Sequence, residues 1–413
     1  MKKTLLSFGH GYSAQALDRV LIPQGWRIYG TTRSEENKAE LEARGVIPLL
    51  WGSDAVKAAL EECSHILIST GPKDAGDPVL ALYRDIIARR AGDLDWVGYL
   101  STTGVYGHHD GGWVTEDAPL IPATPRGMSR KNAEQAWGSI SGLPLHIFRL
   151  AGIYGPGRGP FEKVRTGKAR RIIKKGQVFS RIHVDDIAQV LAASIAQPNP
   201  GRAYNVCDND PAPPQDVIAY AAELLGMPLP PAIKFEDADM TPMARSFYAE
   251  SKRVDNTRIK QELGVELAYP DYRAGLQKSL SVEDPRSSVL SFLERYNNAF
   301  YARDIAALKD CYTADHVRFW DNHAGNDSDD FPAHLAAVQA FFTNGKATES
   351  GSIEKLEIDA PQVWFHGDTA TLAATLRYAS HPKPGVRSTF CLKLEKGSWR
   401  AFHVHHSFDP NEA

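Results

Sequence analysis

The chain has 413 residues, of which 43% are hydrophobic and 23% charged, and its formal net charge is −3. A chain of this length is expected to form two domains of ordinary globular composition. The small net charge argues against a general nucleic-acid binder and against binding to a membrane surface.

The sequence shows no sign of a disulfide framework, a membrane span or a signal peptide. The four cysteines are scattered and include no C-x-x-C pair, which disfavours a disulfide framework and favours a reducing environment. No run approaches the roughly 18 apolar residues that a membrane span needs. The apolar run near the N-terminus is too short for a signal peptide. We therefore expect a soluble, cytoplasmic protein.

Short β-like runs alternate with amphipathic helical segments over residues 1–280. The strand-like runs are TLLSFG (4–9), RIYGTT (27–32), HILIST (65–70), WVGYLST (96–102) and LHIFRLAG (145–152). Residues 14–24 and 79–91, which lie between them, have helical periodicity. This alternation predicts an α/β domain with a Rossmann-type, doubly wound parallel sheet. Such sheets bind ligands at the carboxyl ends of their strands.

The pattern changes at residues 281–288, which we interpret as a linker. A helix-like run over 289–312 is followed by strand-like segments at 317–322, 370–380, 387–396 and 398–408. A helix followed by a meandering antiparallel sheet predicts a second, α+β domain over residues 289–413.

The first strand runs into the sequence FGHGYSA, which predicts a dinucleotide-binding turn. Gly9 allows a tight turn, Gly11 allows close approach of a pyrophosphate, and Ala14 allows close packing of helix on strand. The phosphates would then meet the N–H groups and the positive dipole end of the first helix. A purely structural glycine turn is the alternative. The residues expected around the cofactor here are Gly9, His10, Gly11, Tyr12, Ser13 and Ala14.

The end of the second strand bears on the choice between NAD and NADP. NAD sites place an acidic residue there to bind the ribose 2′-hydroxyl. This chain has Thr32, Arg33 and Ser34 instead. Arg33 is suited to a 2′-phosphate, which favours NADP, and NAD bound beside a surface arginine is the alternative.

Five motifs in order give this part of the chain a family resemblance. They are FGHGYSA, GTTRS, YLSTTGVYG (99–107), FRLAGIYGPGR (148–158) and RIHVDDIA (181–188). Residues 3–280 resemble the extended short-chain dehydrogenase/reductase family, which includes NAD(P)-dependent epimerases and dehydratases. The resemblance implies that Thr102 touches the substrate oxygen, with Ser101 beside the cofactor. It also implies that Ser69, Thr70 and Gly71 line the nicotinamide ribose.

The catalytic tyrosine and lysine of that family are missing from PRGMSRKNAE (125–134). Its motif is Tyr-Gly-x-Ser-Lys, with a glutamate four residues after the lysine. Anchoring on Glu134 puts Arg126 at the tyrosine and Arg130 at the lysine. Using Lys131 as the lysine puts Gly127 at the tyrosine. Neither alignment supplies a phenol.

An arginine cannot replace the tyrosine as a proton donor. Its guanidinium stays charged near neutral pH, so it binds anions and stabilises oxyanions but does not cycle as an acid and base. We therefore expect Arg126 to bind substrate. Tyr106, His108, His183 or solvent would have to supply the proton. An atypical, largely uncharacterised branch of the family has the same two arginines.

Residues 289–413 resemble the SnoaL-like, ketosteroid-isomerase-like fold. The motifs are FLERYNNAFYARDIAALKDCYTADHVRFWD (292–321), GDTATLAATLRY (367–378) and GSWRAFHVHHS (397–407). The resemblance implies a curved sheet around a pocket and a homodimer formed through the sheet. The polar residues of interest are Trp320, Asp321, His323, Arg387, His403, His405 and His406.

Strand alternation should put His403 and His405 on one face of this sheet and His406 on the other. These two histidines with a distant aspartate are one alternative, a metal site with an incomplete ligand set, and structural polar contacts or a pocket-lining or catalytic role are the others. Asp321 is the one carboxylate we would assign as an isomerase base. We expect no bound metal.

The sequence thus predicts an NADP(H)-dependent oxidoreductase acting on a small or medium, anionic carbonyl or alcohol. The predicted catalytic residues are Thr102, Arg126 and Arg130. We expect a homodimer that binds neither nucleic acid nor membrane. One alternative is a cofactor-binding sensor or scaffold without turnover. The other is isomerase, cyclase or hydratase chemistry in the C-terminal domain.

Overall fold

The computed structural model describes residues 3–314, 318–320, 328, 330–344, 356–378, 382–395 and 398–412. The chain forms two compact units. The first comprises Met1–Pro160, Gly167–Ala219 and Pro230–Gly275, and the second comprises Phe161–Thr166, Tyr220–Leu229 and Leu276–Ala413.

Up to residue 283 the chain follows the predicted alternation of strands and helices. The strands are β1 (Thr4–Phe8), β2 (Arg27–Thr32), β3 (Ile47–Leu50), β4 (His65–Ile68), β5 (Trp96–Thr102), β6 (Trp113–Val114), β7 (Leu145–Leu150), β8 (Gly152–Tyr154), β9 (Arg171–Ile173), β10 (Arg181–His183), β11 (Ala203–Val206), β12 (Ala232–Lys234) and β13 (Arg253–Val254). The helices are α1 (Tyr12–Leu21), α2 (Glu36–Ala43), α3 (Asp54–Glu62), α4 (Pro78–Arg89), α5 (Pro125–Gly138), α6 (Phe161–Arg165), α7 (Val184–Ala196), α8 (Pro214–Leu224), α9 (Pro242–Phe247), α10 (Thr257–Leu263) and α11 (Tyr272–Glu283).

Seven strands of the first unit form one parallel sheet in the order β11-β7-β5-β4-β1-β2-β3. Adjacent residues of β1 point to opposite faces, so Leu5 joins the core beneath α1 and α7 while Leu6 joins the core beneath α3 and α4. Apolar residues on both faces are what a parallel sheet covered by helices requires. The predicted Rossmann-type fold is confirmed.

The second unit contains the predicted α+β arrangement. Its further elements are α12 (Pro285–Tyr301), α13 (Ile305–Lys309), β14 (Arg318–Trp320), α14 (Phe331–Asn344), β15 (Leu356–His366), β16 (Thr369–Tyr378), β17 (Val386–Glu395) and β18 (Ser398–Phe408). The sheet order is β14-β18-β17-β16-β15, with β14 parallel to β18 and the other pairs antiparallel. Phe292 and Tyr296 of α12 pack against Phe390 of the sheet.

The predicted linker, residues 281–288, is helical apart from Asp284. Asp284 lies between α11 and α12, where its carboxylate accepts a hydrogen bond from Ser287 N at 3.0 Å. With Pro285 in the first turn, this is a strong helix start, which accounts for helix in place of an extended linker. The division into domains at 1–280 and 289–413 stays a prediction. Among the described residues, none of the helices is both long and apolar enough to cross a membrane.

Candidate dinucleotide and substrate site

The glycine-rich turn joins β1 to α1 as predicted. Gly9 has φ +70°, and a Cβ atom there would lie 2.6 Å from Thr70 Cγ2, so both the backbone conformation and the space require glycine. Gly11 is the N-cap of α1 and would bring an added Cβ no closer than 3.7 Å to Gly9 O. Ala14 is buried against the sheet. The α1 N-terminus is thus open to an anionic group.

Of the other residues in this turn, His10 and Ser13 are buried, whereas Tyr12 reaches the loop after β8. The ring of His10 is buried and lies 2.9 Å from Asp18 Oδ2, so this side chain does not reach a ligand. Ser13 is also buried. Tyr12 donates its hydroxyl to Pro156 O at 2.9 Å, which joins the turn to the loop after β8.

The end of β2 presents an arginine to solvent. Arg33 is exposed, and its guanidinium forms no ion pair with any residue that the structure describes. Thr32 Oγ1 and Ser34 contact each other, and Ser34 Oγ accepts a hydrogen bond from Glu36 N at 3.2 Å at the start of α2. Arg33 is therefore the residue at this strand end whose side chain is available to a phosphate.

The end of β4 borders the same turn. Ser69 Oγ donates to Phe8 O at 3.2 Å and also to Gly9 O, so it holds the two strand ends together. Thr70 Oγ1 is buried and has no hydrogen-bond partner among the described residues. An unmatched buried hydroxyl beside a glycine turn fits a bound ribose.

Thr102 and Ser101 lie at the end of β5 and differ in whether their side chains are available to a ligand. Thr102 is half-buried, and its Oγ1 accepts from Gly104 N at 3.2 Å, which leaves its hydroxyl proton for another acceptor. Ser101 is buried and donates to Glu134 Oε1 at 2.5 Å. The side chain of Ser101 is thus used within the protein, whereas the resemblance implied a cofactor contact.

Helix α5 carries the residues of both possible alignments of the missing motif. Arg130 Nη1 donates to Leu100 O at 2.6 Å and to Tyr99 Oη at 3.3 Å. Lys131 Nζ instead donates to Leu120 O at 2.8 Å. Arg130, and not Lys131, lies against β5. The alignment anchored on Glu134 stays a prediction.

Arg126 is four residues before Arg130, so both lie on one face of α5. Thr124 caps the helix by accepting from Gly127 N at 3.1 Å, and Pro125 starts it. Arg126 in the first turn is exposed, and its guanidinium forms no ion pair with a described residue. The first turn of α5 thus carries an accessible positive charge at Arg126.

A buried polar network lies behind this face. Glu134 accepts from Arg149 Nη2 at 2.9 Å, and Arg149 Nη1 donates to Tyr106 Oη at 2.9 Å. Tyr106 donates in turn to Asn205 Oδ1 at 2.6 Å. Sequence reasoning missed Arg149, because an arginine within an apolar strand run gives no sign of its partner.

Each of the three candidate proton donors has hydrogen-bond partners within the protein. Burial raises the pKa of Tyr106 to about 12, and its hydroxyl belongs to the buried network. His183 is fully buried, and its Nδ1 accepts from Asp185 N at 3.2 Å. His108 is exposed, accepts from Ser251 N at 2.9 Å and lies 2.7 Å from Asp110.

In the second unit the predicted alternation of histidines is found. His406 contacts Phe390 and Ser388, with Ser388 Oγ 2.7 Å from its Nδ1. His403 and His405 instead lie edge-on to Trp320. Arg387 is exposed on β17. Asp321 and His323 lie outside the described residues.

Sequence reasoning missed His334 in α14. Its Nε2 is 2.9 Å from Tyr312 Oη, and its ring stacks on Phe319. Burial lowers the pKa of His334 from 6.5 to about 4. A single histidine in an apolar helix carries no signal that distinguishes it from a structural residue.

Comparisons with known proteins found relatives of both parts of the chain. The model of the SnoaL-like domain matches residues 289–410. A solved structure, described as a functionally unknown conserved protein from Silicibacter pomeroyi DSS, is 61% identical and covers 68% of this chain and 99% of its own, with a TM-score of 0.65. Protein YeeZ of Escherichia coli K12 is 27% identical over 286 residues, which are 66% of this chain and 97% of YeeZ.

The fold of the first unit also occurs in an enzyme of known activity. The dTDP-glucose 4,6-dehydratase of Bacillus anthracis, solved with NAD, is 16% identical, covers 69% of this chain and 97% of its own, and has a TM-score of 0.57. The first unit therefore shares its fold with this NAD-binding dehydratase, as the resemblance to the extended short-chain family implied. The chain belongs to the family of the Silicibacter protein and carries a SnoaL-like domain at its C-terminus.

Proposed function

We propose that the protein is an NADP(H)-dependent oxidoreductase that acts on a small or medium, anionic carbonyl or alcohol. The observation that carries the proposal is the pairing of an open glycine turn with two arginines on one face of α5. The turn suits a dinucleotide, and the exposed Arg126 suits a negatively charged substrate, while Arg130 lies against β5 and faces Gly71 beside the proposed cofactor.

The residues at the strand ends fit an NADP(H) cofactor, which when bound would supply or accept a hydride. The N–H groups at the start of α1 would hold the pyrophosphate, with Gly9 and Gly11 allowing its approach. Arg33 would pair with the 2′-phosphate. Thr70 Oγ1, the buried hydroxyl without a partner among the described residues, would bond the nicotinamide ribose.

Thr102 and Arg126 would orient the substrate. The hydroxyl of Thr102 can donate to the substrate oxygen, because its own oxygen already accepts from Gly104 N. Arg126 can bind a substrate carboxylate or phosphate, or stabilise charge that develops on the reacting oxygen. Neither arginine exchanges a proton near neutral pH. Solvent would therefore supply or remove the proton.

Titration with NADPH, followed by turnover on a panel of anionic and neutral carbonyl compounds, tests the proposal. We expect tight NADPH binding, and we expect NADPH to be oxidised faster with the anionic compounds than with the neutral ones. Arg126→Ala should raise KM for these compounds and leave NADPH affinity unchanged. Failure of the wild-type protein to bind either NADPH or NADH would overturn the proposal.

The engagement of Tyr106, His108 and His183 elsewhere favours a second function, a sensor or scaffold that binds the cofactor without turnover. Such a protein would change its binding partners with cofactor occupancy. Affinity capture from cell extract with and without NADPH tests this, and an unchanged set of partners would remove its support.

The sheet of the second unit carries a proposed homodimer contact. Trp364, Thr371, Cys391 and His403 follow one another across β15 to β18 in register, on the face opposite Phe390. Trp364 is 47% exposed. An exposed tryptophan followed by partly exposed side chains across one sheet face suits a second copy of the same face.

A further inference from the structure

The side chain of His10 lies beneath the glycine-rich turn. Its Nε2 is 2.9 Å from Asp18 Oδ2 on α1, and the two side chains are 0% and 4% exposed. The backbone N–H of His10 donates to Thr31 O at 3.2 Å, and that of Gly9 donates to Thr31 Oγ1 at 2.8 Å. The turn is thus attached both to β2 and to the helix that follows it.

Gly30 shows how closely the ring of His10 is held. A Cβ atom at position 30 would lie 2.8 Å from His10 Cγ and 3.0 Å from His10 Cβ, which is closer than atoms pack. The same Cβ would lie 2.8 Å from Val46 Cγ1. The imidazole therefore fills the space between β2 and α1, and β2 needs glycine where the ring passes.

We infer that His10 and Asp18 are positioning residues for the cofactor pyrophosphate. Gly9 and Gly11 flank His10 and allow the turn many backbone conformations. The His10–Asp18 hydrogen bond selects one of them, in which the N–H groups at the start of α1 are directed toward a ligand. Preorganisation of this kind improves affinity without any contact between the positioning side chain and the ligand. The inference rests on the proposed dinucleotide-binding function.

Two ligands separate positioning of the turn from general support of the fold. NADPH would contact the turn through its pyrophosphate and Arg33 through its 2′-phosphate. Adenosine 2′-monophosphate has no pyrophosphate, so it would contact Arg33 but not the turn. The affinities of both are measured by calorimetry on the full-length protein and on His10→Ala. If the wild-type protein prefers NADH, adenosine takes the place of adenosine 2′-monophosphate.

We expect His10→Ala to weaken NADPH binding about tenfold, the effect of one lost hydrogen bond, and to change the affinity of the half-ligand less than about twofold. Asp18→Ala should reproduce this effect. Asp18→Asn keeps an oxygen that accepts from His10 and should restore most of the affinity.

His65→Ala is the matched control. His65 is also buried, but it lies at the amino end of β4, where its Nδ1 contacts Ser64 Oγ at 2.8 Å. This variant should lose stability and keep both affinities. Equal losses of NADPH and half-ligand affinity in His10→Ala would show that His10 only supports the fold, and unchanged NADPH affinity would also overturn the inference. Failure of the wild-type protein to bind any dinucleotide would instead reject the proposed function.

Discussion

Arg130 Nη2 lies 3.4 Å from the point that a Cβ atom of Gly71 would occupy, while Nη1 of the same guanidinium donates to Leu100 O. The arginine therefore extends from α5 past the end of β5 to the residue just beyond β4. These are the strand ends between which a dinucleotide lies in a doubly wound sheet. One edge of the guanidinium is held by the protein, and Nη2 is directed toward Gly71.

Arg130 should contribute to cofactor binding. Arg130→Met is expected to weaken NADPH binding about tenfold, because a charged donor near the nicotinamide ribose is lost. Fluorescence titration measures this. Lys131→Met is the control, since Lys131 Nζ bonds Leu120 O and points elsewhere. Equal affinities for Arg130→Met and wild type would contradict the assignment.

Arg33 should determine the preference for NADPH. Arg33→Ala is expected to weaken NADPH about 10- to 100-fold, the loss of one charge-assisted phosphate contact, and to leave NADH affinity almost unchanged. Calorimetric titration with each cofactor measures the ratio of NADPH affinity to NADH affinity. Arg27→Ala, at the opposite end of β2, controls for loss of a positive charge. A ratio that Arg33→Ala does not alter would place the 2′-phosphate elsewhere or favour NAD.

Glu134 and Arg149 should matter for stability more than for chemistry. Removing one partner of a buried ion pair leaves the other charge unpaired and typically costs about 3–5 kcal/mol. We expect Glu134→Leu and Arg149→Met each to lower the free energy of unfolding in urea by about that amount. The exposed pair Lys57–Asp54 offers the control Lys57→Met, which should leave the free energy of unfolding almost unchanged. Losses of similar size in buried and exposed variants would contradict this account.

Buried neutral histidines should make the first unit less stable in mild acid. Burial lowers the pKa values of His65 and His146 from 6.5 to about 4. Each then takes up a proton more readily when unfolded, so their contribution to stability is complete above pH 6.5 and is lost as the pH falls toward 4.

The expected loss is about 1–2 kcal/mol per histidine between pH 7 and 5. Urea unfolding across this range measures it. His146 Nε2 accepts a hydrogen bond from Asn199 N at 2.9 Å, and the side-chain oxygen of a glutamine can take over this role. His146→Gln should therefore flatten the pH dependence of the free energy of unfolding. An unchanged slope in this variant would show that His146 is not one of the groups that titrate.

The sheet of the second unit should control oligomeric state. Trp364→Glu places a charge on the proposed contact face and should convert a dimer to a monomer, as measured by light scattering. Trp113→Glu, at an exposed tryptophan of the first unit, should leave the dimer intact. A wild-type monomer, or a dimer that survives Trp364→Glu, would contradict the proposed contact.

The sequence predicted the backbone of the site better than its side chains. A glycine turn after a buried strand predicts the start of α1, because close approach and positive φ both demand glycine, and Gly9 has φ +70°. The inward ring of His10 could not be predicted, since it depends on Gly30 and Asp18, which only folding brings together. Ser101 likewise donates to Glu134, whose carboxylate is held by Arg149 on the neighbouring strand β7. This arrangement could not be predicted, because only folding places β7 beside β5.

The most direct measurement of the central claim uses NADPH in which both hydrogens at nicotinamide C4 are replaced by deuterium. The protein is mixed with this cofactor and anionic carbonyl substrates, and the products are analysed by mass spectrometry. We predict that deuterium appears on the former carbonyl carbon and that Arg126→Ala lowers its rate of appearance. Tight binding of NADPH with no deuterium in any product would contradict an oxidoreductase and favour the sensor.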